Sequence, residues 1–306
     1  MNNYSHLSNI ALLVKELISS GIDTVVISPG SRNGPLSILF SSVDTCKTHV
    51  IVDERCAAFF ALGMALKLNK PVALLCTSGT ASLNYSPAIA EAYYLQIPLL
   101  VLTADRPLKW LHHSEGQQIN QTEIYRNFCT ASFTFDTALN KTELKPIVKA
   151  SLESLKTQSR PVHINIPIEE PLYNLEELMP LNIIPKPFEP KTNKIPFELN
   201  QNDIRALNSS VLIAVGSRPY DPKFSTILMR LNKLSNVTVI CETTSNLQIE
   251  NAIQNLDLLL PGIDDIKKEN LKPDVLISIG THFISKHLKQ FLRSNKPLEH
   301  WHINEF

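Results

Sequence analysis

The chain has 306 residues, room for one large or two ordinary domains, and its 43% hydrophobic content is enough for a real core. Lys plus Arg and Asp plus Glu balance at 29 each, so no global field favours nucleic acid or an anionic membrane surface. Five cysteines without a C-x-x-C pair read as buried thiols of a reducing, cytoplasmic compartment, and no basic-then-apolar leader or membrane-length apolar run is present in the sequence.

Ile10, Leu13, Val14, Leu17 and Ile18 recur at helical spacing, with Gly21 as a stop. A strand over 23–28 follows. It runs into Ser28-Pro29-Gly30-Ser31-Arg32-Asn33-Gly34-Pro35, a loop dense in turn formers ahead of a short helix. Two readings stand for this loop: an anion seat with Arg32 as a charged fork, or an ordinary strand-to-helix turn. Residues 49–52 form the next strand, and a helix rich in small residues then runs to Leu68. At their junction Asp53 reads as an N-cap. Glu54 reads either as a first-turn acid favoured by the helix dipole or as a carboxylate facing a ligand crevice.

A third strand over 71–76 leads into Thr77-Ser78-Gly79-Thr80, a small-residue loop that is neither a Walker loop nor a G-x-G-x-x-G fingerprint. It implies close approach to the backbone or tight helix packing. The strand over 98–103 ends in Asp105 and Arg106. The polar stretch 108–127 carries His112, His113 and Glu115, but no third ligand at metal spacing, so the histidines read as solvated or structural. A helix over 141–157 and a strand over 161–166 close this half. Alternating strands and helices predict an α/β fold with a parallel sheet, helices on both faces, and the three polar strand ends on one edge.

Residues 167–202 are punctuated by proline and predict an extended, semi-rigid linker. A second α/β unit follows, with strands at 211–215, 237–241, 274–279 and 300–303. It lacks the spaced glycines of a dinucleotide site, so a structural domain without bound dinucleotide is the better reading.

The segments 28–35, 53–63, 76–81 and 102–107, in that order, resemble one family: the thiamine-diphosphate-dependent 2-succinyl-5-enolpyruvyl-6-hydroxy-3-cyclohexene-1-carboxylate synthases of menaquinone biosynthesis. Gln117, Ile119 and Gln121 match the family's Q-x-I-x-Q segment, and residues 161–167 match its closing strand. The resemblance implies a pyrimidine-binding domain at 1–175, a Pro-rich linker at 176–202 and a Rossmann-like central domain at 203–306. The family's third domain binds the diphosphate through Mg²⁺ (or Mn²⁺). Its Gly-Asp-Gly and Asn-Asn signature does not occur here, so the chain is expected to be the N-terminal part of a larger enzyme and inactive alone.

The implied activity is a carboligase transferase reaction: decarboxylation of 2-oxoglutarate and addition of the succinyl carbanion to isochorismate. Glu54 is then the catalytic carboxylate that hydrogen-bonds the aminopyrimidine, with Pro29, Ser78 and Gly79 against the cofactor. Ser31, Arg32, Arg106, Gln117 and Lys286 hold the dianionic substrates, and none of these residues ligates metal. Cys56 stands where serine is common and is expected to be buried and inert. A homodimer or homotetramer is implied. An acetohydroxyacid-synthase-type enzyme would share Glu54 but not the arginine pair with Gln117. A non-catalytic anion-binding or assembly module is the other alternative.

Overall fold

The structure, a computed structural model, describes residues 5–110, 113, 116–174, 181–191 and 198–303. Two compact units follow one another, Met1–Asn193 and Lys194–Phe306. The first begins with α1 (Ser5–Ser19), β1 (Thr24–Ile27), α2 (Gly34–Ser41), β2 (Lys47–Val50), α3 (Glu54–Leu68) and β3 (Val72–Cys76). A 3₁₀ segment (Gly79–Tyr85) and α4 (Ser86–Leu95) lead to β4 (Leu99–Asp105). Then come β5 (Ala131–Thr134), α5 (Lys141–Gln158) and β6 (Val162–Pro167).

Among the described residues these strands form one wholly parallel sheet in the order β2-β1-β3-β4-β6-β5. The inner strands read as unbroken apolar runs because both faces are covered. Val25, Ile27, Leu100 and Leu102 face a core shared with α1, α2 and α5. Their neighbours Val26, Leu99 and Val101 point the other way, onto Ala57, Ala58, Ala61 and Ala65 of α3 and Ala88 and Ala92 of α4. The alanines let these two helices lie close to the sheet.

The chain leaves β1 for β2 on one side and returns to β3 on the other. The strand order therefore reverses between β1 and β3, and the crevice beyond their carboxyl ends is where open sheets of this kind take ligands. Strand β5 is absent from the elements predicted from the sequence: its four residues are half-buried at the sheet edge, and their alternation, Ala131 and Phe133 against Ser132 and Thr134, is short and rests on small or polar residues. Backbone pairing with β6 and the Phe135 N–H to Asn165 O bond (2.8 Å) define it.

The described part of the Pro-rich stretch differs from a free spacer. Ile183 is buried in the first core, with Leu181 and Phe188 packed against it. The Lys186 N–H donates to Ser19 O (3.3 Å), the Lys191 N–H to Lys156 O (2.9 Å) and the Thr45 hydroxyl to Ile183 O (2.8 Å). Gly21, at φ +92°, lies so close to this strap that a Cβ would sit 2.7 Å from Lys186 O, which is why glycine stands there.

The second unit holds α6 (Gln201–Ala206), β7 (Val211–Val215), α7 (Pro222–Leu231), β8 (Val237–Cys241), α8 (Leu256–Leu259) and α9 (Asp265–Asn270). It closes with β9 (Val275–Ile279), α10 (Lys286–Ser294) and β10 (Glu299–Ile303). Its described strands are parallel in the order β10-β9-β7-β8, with apolar clusters on both faces. The short helices α6, α8 and α9 were not predicted. Side-chain caps support two of them: Asn200 with Asp203 for α6, and Asp264 for α9. Glu242, buried just beyond β8, accepts the Ile284 and Ser285 N–H groups at 2.8 and 2.7 Å and so fixes the loop entering α10.

Candidate active site

Four strand ends of the first sheet bring polar groups to one edge. After β1, Ser28 is buried and donates its N–H to Leu75 O (2.8 Å), so the first loop is tied to β3 from the start. Pro29 and Ser31 are exposed, and a Cβ on Gly30 would overlap the Thr77 side chain. The loops after β1 and β3 therefore touch across the crevice, and glycine is what permits it.

After β2, Asp53 accepts the Cys56 N–H (2.8 Å) and caps α3, a bond that holds its carboxyl below the usual carboxylate range. Glu54 is the first residue of α3 and half-buried. Its charge lies near enough to help push up the Cys76 thiol and the Tyr85 phenol, though burial is the larger cause for both. The Tyr85 hydroxyl donates to Ser28 Oγ (3.1 Å). Glu54 thus stands at the reversal crevice beside the ends of β1 and β3, with exposed Val50 and Val52 next to it. Cys56 corrects an expectation: it is exposed, because position three of α3 points away from the sheet that Ala57 and Ala58 meet. The Asp53 carboxylate raises its thiol, which disfavours the reactive thiolate.

After β3, Ser78 and Gly79 are buried. Gly79 has φ +84°, and a Cβ there would sit 2.8 Å from Gln117 O, so the Q-x-I-x-Q segment lies directly on this loop. Gln117 itself is exposed. After β4, Arg106 is half-buried and donates Nε–H to Gly116 O (2.7 Å). Arg32 is 6% exposed; it donates to Glu170 Oε1 (2.9 Å) and Ile168 O (3.2 Å), and Trp110 lies 5.8 Å from its guanidinium. The strongest candidate anion-binding group is thus already engaged by a carboxylate of its own chain. Lys286 is exposed at the start of α10 in the second unit. His112 and Glu115 lie outside the described residues. Among the described residues no group of three or more His, Cys, Asp or Glu is placed to hold a metal.

A buried polar network behind this edge was not assigned from the sequence. Gln121 Oε1 accepts the Gly79 N–H (2.7 Å), and its Nε2 donates to Ala104 O (3.1 Å) and Asn165 Oδ1 (3.0 Å). Asn165 donates to Asp105 Oδ2 (2.8 Å), and Asp105 Oδ1 accepts the Arg106 N–H (2.7 Å). Thr103 donates to Asn165 Oδ1 (2.9 Å) and lies 2.8 Å from His163 Nε2. Burial raises the Asp105 carboxyl, against its hydrogen bonds and the nearby Arg32 and Arg106 charges. One sequence signal pointed here: His163 and Asn165 alternate inside an otherwise apolar strand, and so share one face of a buried sheet.

Residues 10–124 match the family described as thiamine pyrophosphate enzyme, N-terminal TPP binding domain. The chain is 39% identical to 2-succinyl-5-enolpyruvyl-6-hydroxy-3-cyclohexene-1-carboxylate synthase of Flavobacterium johnsoniae, over 96% of this chain and 54% of that protein. It is 40% identical to the synthase of Cytophaga hutchinsonii, over 94% of this chain and 52% of the other. For the synthase of Christiangramia forsetii the values are 38%, 98% and 56%. The chain spans about half the length of the relatives it matches.

Proposed function

We infer that a chain belonging to the family of thiamine-diphosphate-dependent 2-succinyl-5-enolpyruvyl-6-hydroxy-3-cyclohexene-1-carboxylate synthases supplies the aminopyrimidine side of their active site. The whole protein then decarboxylates 2-oxoglutarate and joins the remaining four-carbon unit to isochorismate, in menaquinone biosynthesis. The observation that carries this reading is Glu54: a half-buried carboxylate at the reversal crevice of a parallel sheet, beside apolar Val50 and Val52. That donor set fits an aromatic, nitrogen-bearing ring, which needs one acidic partner and apolar walls. Gly79 brings backbone close to the same crevice, though its N–H is taken by Gln121 and contributes contact, not a hydrogen bond. Pro29 and Ser78 complete the cofactor side.

The bound cofactor supplies the electron sink for decarboxylation and carbon–carbon bond formation. Glu54 holds a proton against a ring nitrogen and thereby sets the ring's tautomer. Arg32 and Arg106, with Ser31, Gln117 and Lys286, orient the carboxylates of the two dianionic substrates. For Arg32 this requires that substrate displace or share the Glu170 contact. The diphosphate and its Mg²⁺ or Mn²⁺ would fall to other residues of the whole protein, a reading supported by the chain's spanning about half the length of its relatives, and these 306 residues alone would then not turn over.

Val52 is 76% exposed, and Phe59 and Phe60 are exposed along α3 beside it, an apolar surface suited to a second subunit in a homodimer or homotetramer. All five cysteines are free thiols, in keeping with a reducing cytoplasm. No helix among the described residues is long and apolar enough to cross a membrane.

The test is turnover by the intact protein given 2-oxoglutarate, isochorismate, thiamine diphosphate and Mg²⁺. Glu54→Gln lowers kcat by about 10²–10⁴-fold with the fold retained. An intact protein that releases CO₂ but forms no adduct with isochorismate overturns the substrate assignment. A fully active Glu54→Gln variant overturns the mechanism.

A further inference from the structure

We propose that Gln121, Asn165 and Asp105 act as one positioning unit that fixes the loop carrying Ser78 and Gly79 to the backbone that launches Arg106. The loop after β3 and the loop after β4 bear different halves of the candidate site. They share no strand, and the three side chains come from 16 to 60 residues apart (121 − 105 = 16; 165 − 105 = 60). Nevertheless one unbroken path of hydrogen bonds runs Gly79 N–H to Gln121, Gln121 to Asn165, Asn165 to Asp105, and Asp105 to the Arg106 N–H, every step 3.0 Å or less.

All three side chains are almost wholly buried: Gln121 is 1% exposed, Asn165 0% and Asp105 2%. The orientation of each amide is set by its partners. The Gln121 oxygen faces an N–H, and its nitrogen faces two oxygens, Ala104 O and Asn165 Oδ1; a flipped amide would set like against like at all three contacts. The Asn165 oxygen accepts from both Gln121 and Thr103, and its nitrogen serves Asp105. A buried polar network of this kind, with its members mutually satisfied, specifies one arrangement more sharply than an apolar plug of the same volume, because any shift leaves a polar group unpaired.

What the network specifies is local. Gly79, at φ +84°, is wedged against the Gln117 backbone on one side and pinned through its N–H by Gln121 on the other. Gln121 also reaches Ala104 O, the carbonyl just before Asp105. A displacement of the β4 end therefore reaches the Gly79 loop through two bonds of a single amide. The chain so couples the wall of the cofactor crevice to the arm that carries an arginine for substrate. Only the catalytic consequence of this coupling rests on the function proposed above; the coupling itself does not.

The experiment uses the intact protein and two readouts. The first is amide hydrogen exchange in peptides covering 77–85 and 104–110, without cofactor, for wild type, Gln121→Leu and Asn165→Leu. Among the described residues the Asn165 side chain bonds to Thr103, Gln121 and Asp105 and not to Gly79, so a purely local role predicts no change there. The positioning unit predicts that the Gly79 amide exchanges about tenfold faster in both variants, while α1 and β1 stay as protected as in wild type.

The second readout is kinetic. Gln121→Glu keeps the size and the acceptor for Gly79 but sets a carboxylate against Ala104 O and Asn165 Oδ1. It lowers kcat/KM by about 10–100-fold near neutral pH, and the loss shrinks as the pH falls, because the protonated carboxyl again donates. Unchanged Gly79 exchange in Asn165→Leu, or faster exchange spread evenly through the first unit, overturns the proposal. So does a Gln121→Glu profile parallel to wild type. Should exchange move as expected while wild type makes no product from isochorismate, the positioning unit stands and the assigned reaction falls.

Discussion

His163 shows what one buried side chain does to the pH response of this protein. The Thr103 hydroxyl donates to Asn165, so His163 Nε2–H donates to Thr103, and Nδ1 is buried without a partner among the described residues. A proton on Nδ1 would be a charge and an orphan donor at once, and burial pushes the pKa from 6.5 down to about 3. Below about pH 6.5 the unfolded chain takes up a proton that the folded chain refuses, so stability falls from there toward pH 3, by up to ~1.4 kcal/mol per pH unit. Asp105 acts in the opposite sense, since its raised carboxyl favours the folded state at low pH and loses that advantage as pH rises. His163→Gln keeps a donor for Thr103 and removes only the first effect. Urea midpoints measured from about pH 7 to about pH 4 should fall less steeply in the variant, and parallel curves would refute the assignment. At this scale the sequence was informative where a residue acts on its own neighbours. Asp53 caps α3 as expected, and Glu54 is the acid of its first turn. It was silent on Glu170 holding Arg32 and on the Gln121 network, because those contacts join residues 138 and 44 apart that no spacing rule connects.

The elements around the crevice are fixed by close backbone approach as much as by side chains. Gly30 and Thr77 belong to different loops, and the first has no room for a methyl group beside the second. Gly30→Ala should destabilise the first unit by about 1–3 kcal/mol through overpacking, read as a lowered denaturant midpoint at unchanged m-value. An unaltered midpoint would mean that the two loops part freely. Strands with continuous apolar runs were legible, and β7 and β8 fall on the predicted residues. Ends shifted where the pattern is weak: β2 is Lys47–Val50, earlier than the predicted 49–52, because its backbone pairs with β1 from Thr24 onward and Val52 belongs to the turn. The 3₁₀ segment Gly79–Tyr85 precedes α4, which starts at Ser86 because Pro87 suits a first helical turn.

On the scale of the molecule, the first unit includes part of what reads in the sequence as a connector. Ile183 belongs to the core of α1, α2 and α5, and a fully buried side chain of that size contributes about 1.5–3 kcal/mol. Residues 1–193 expressed alone should melt cooperatively, whereas a piece ending at residue 175 should melt lower or not cooperatively; equal melting would assign the strap no role. Proline content hid this, because a Pro-rich stretch bonds through the few N–H groups left to it, here those of Lys186 and Lys191. The strap also decides how load enters the fold. Among the described residues, the carboxyl-terminal end of the strap is Lys191, which is shackled to α5 through its amide to Lys156 and through its ammonium to Glu153. Beyond that lie Lys186 on Ser19 and Ile183 on Thr45. These fastenings lie in series along the chain, so a pull on residue 191 is expected to open them one after another, Lys191 first and Ile183 last, like the links of a mechanical fuse.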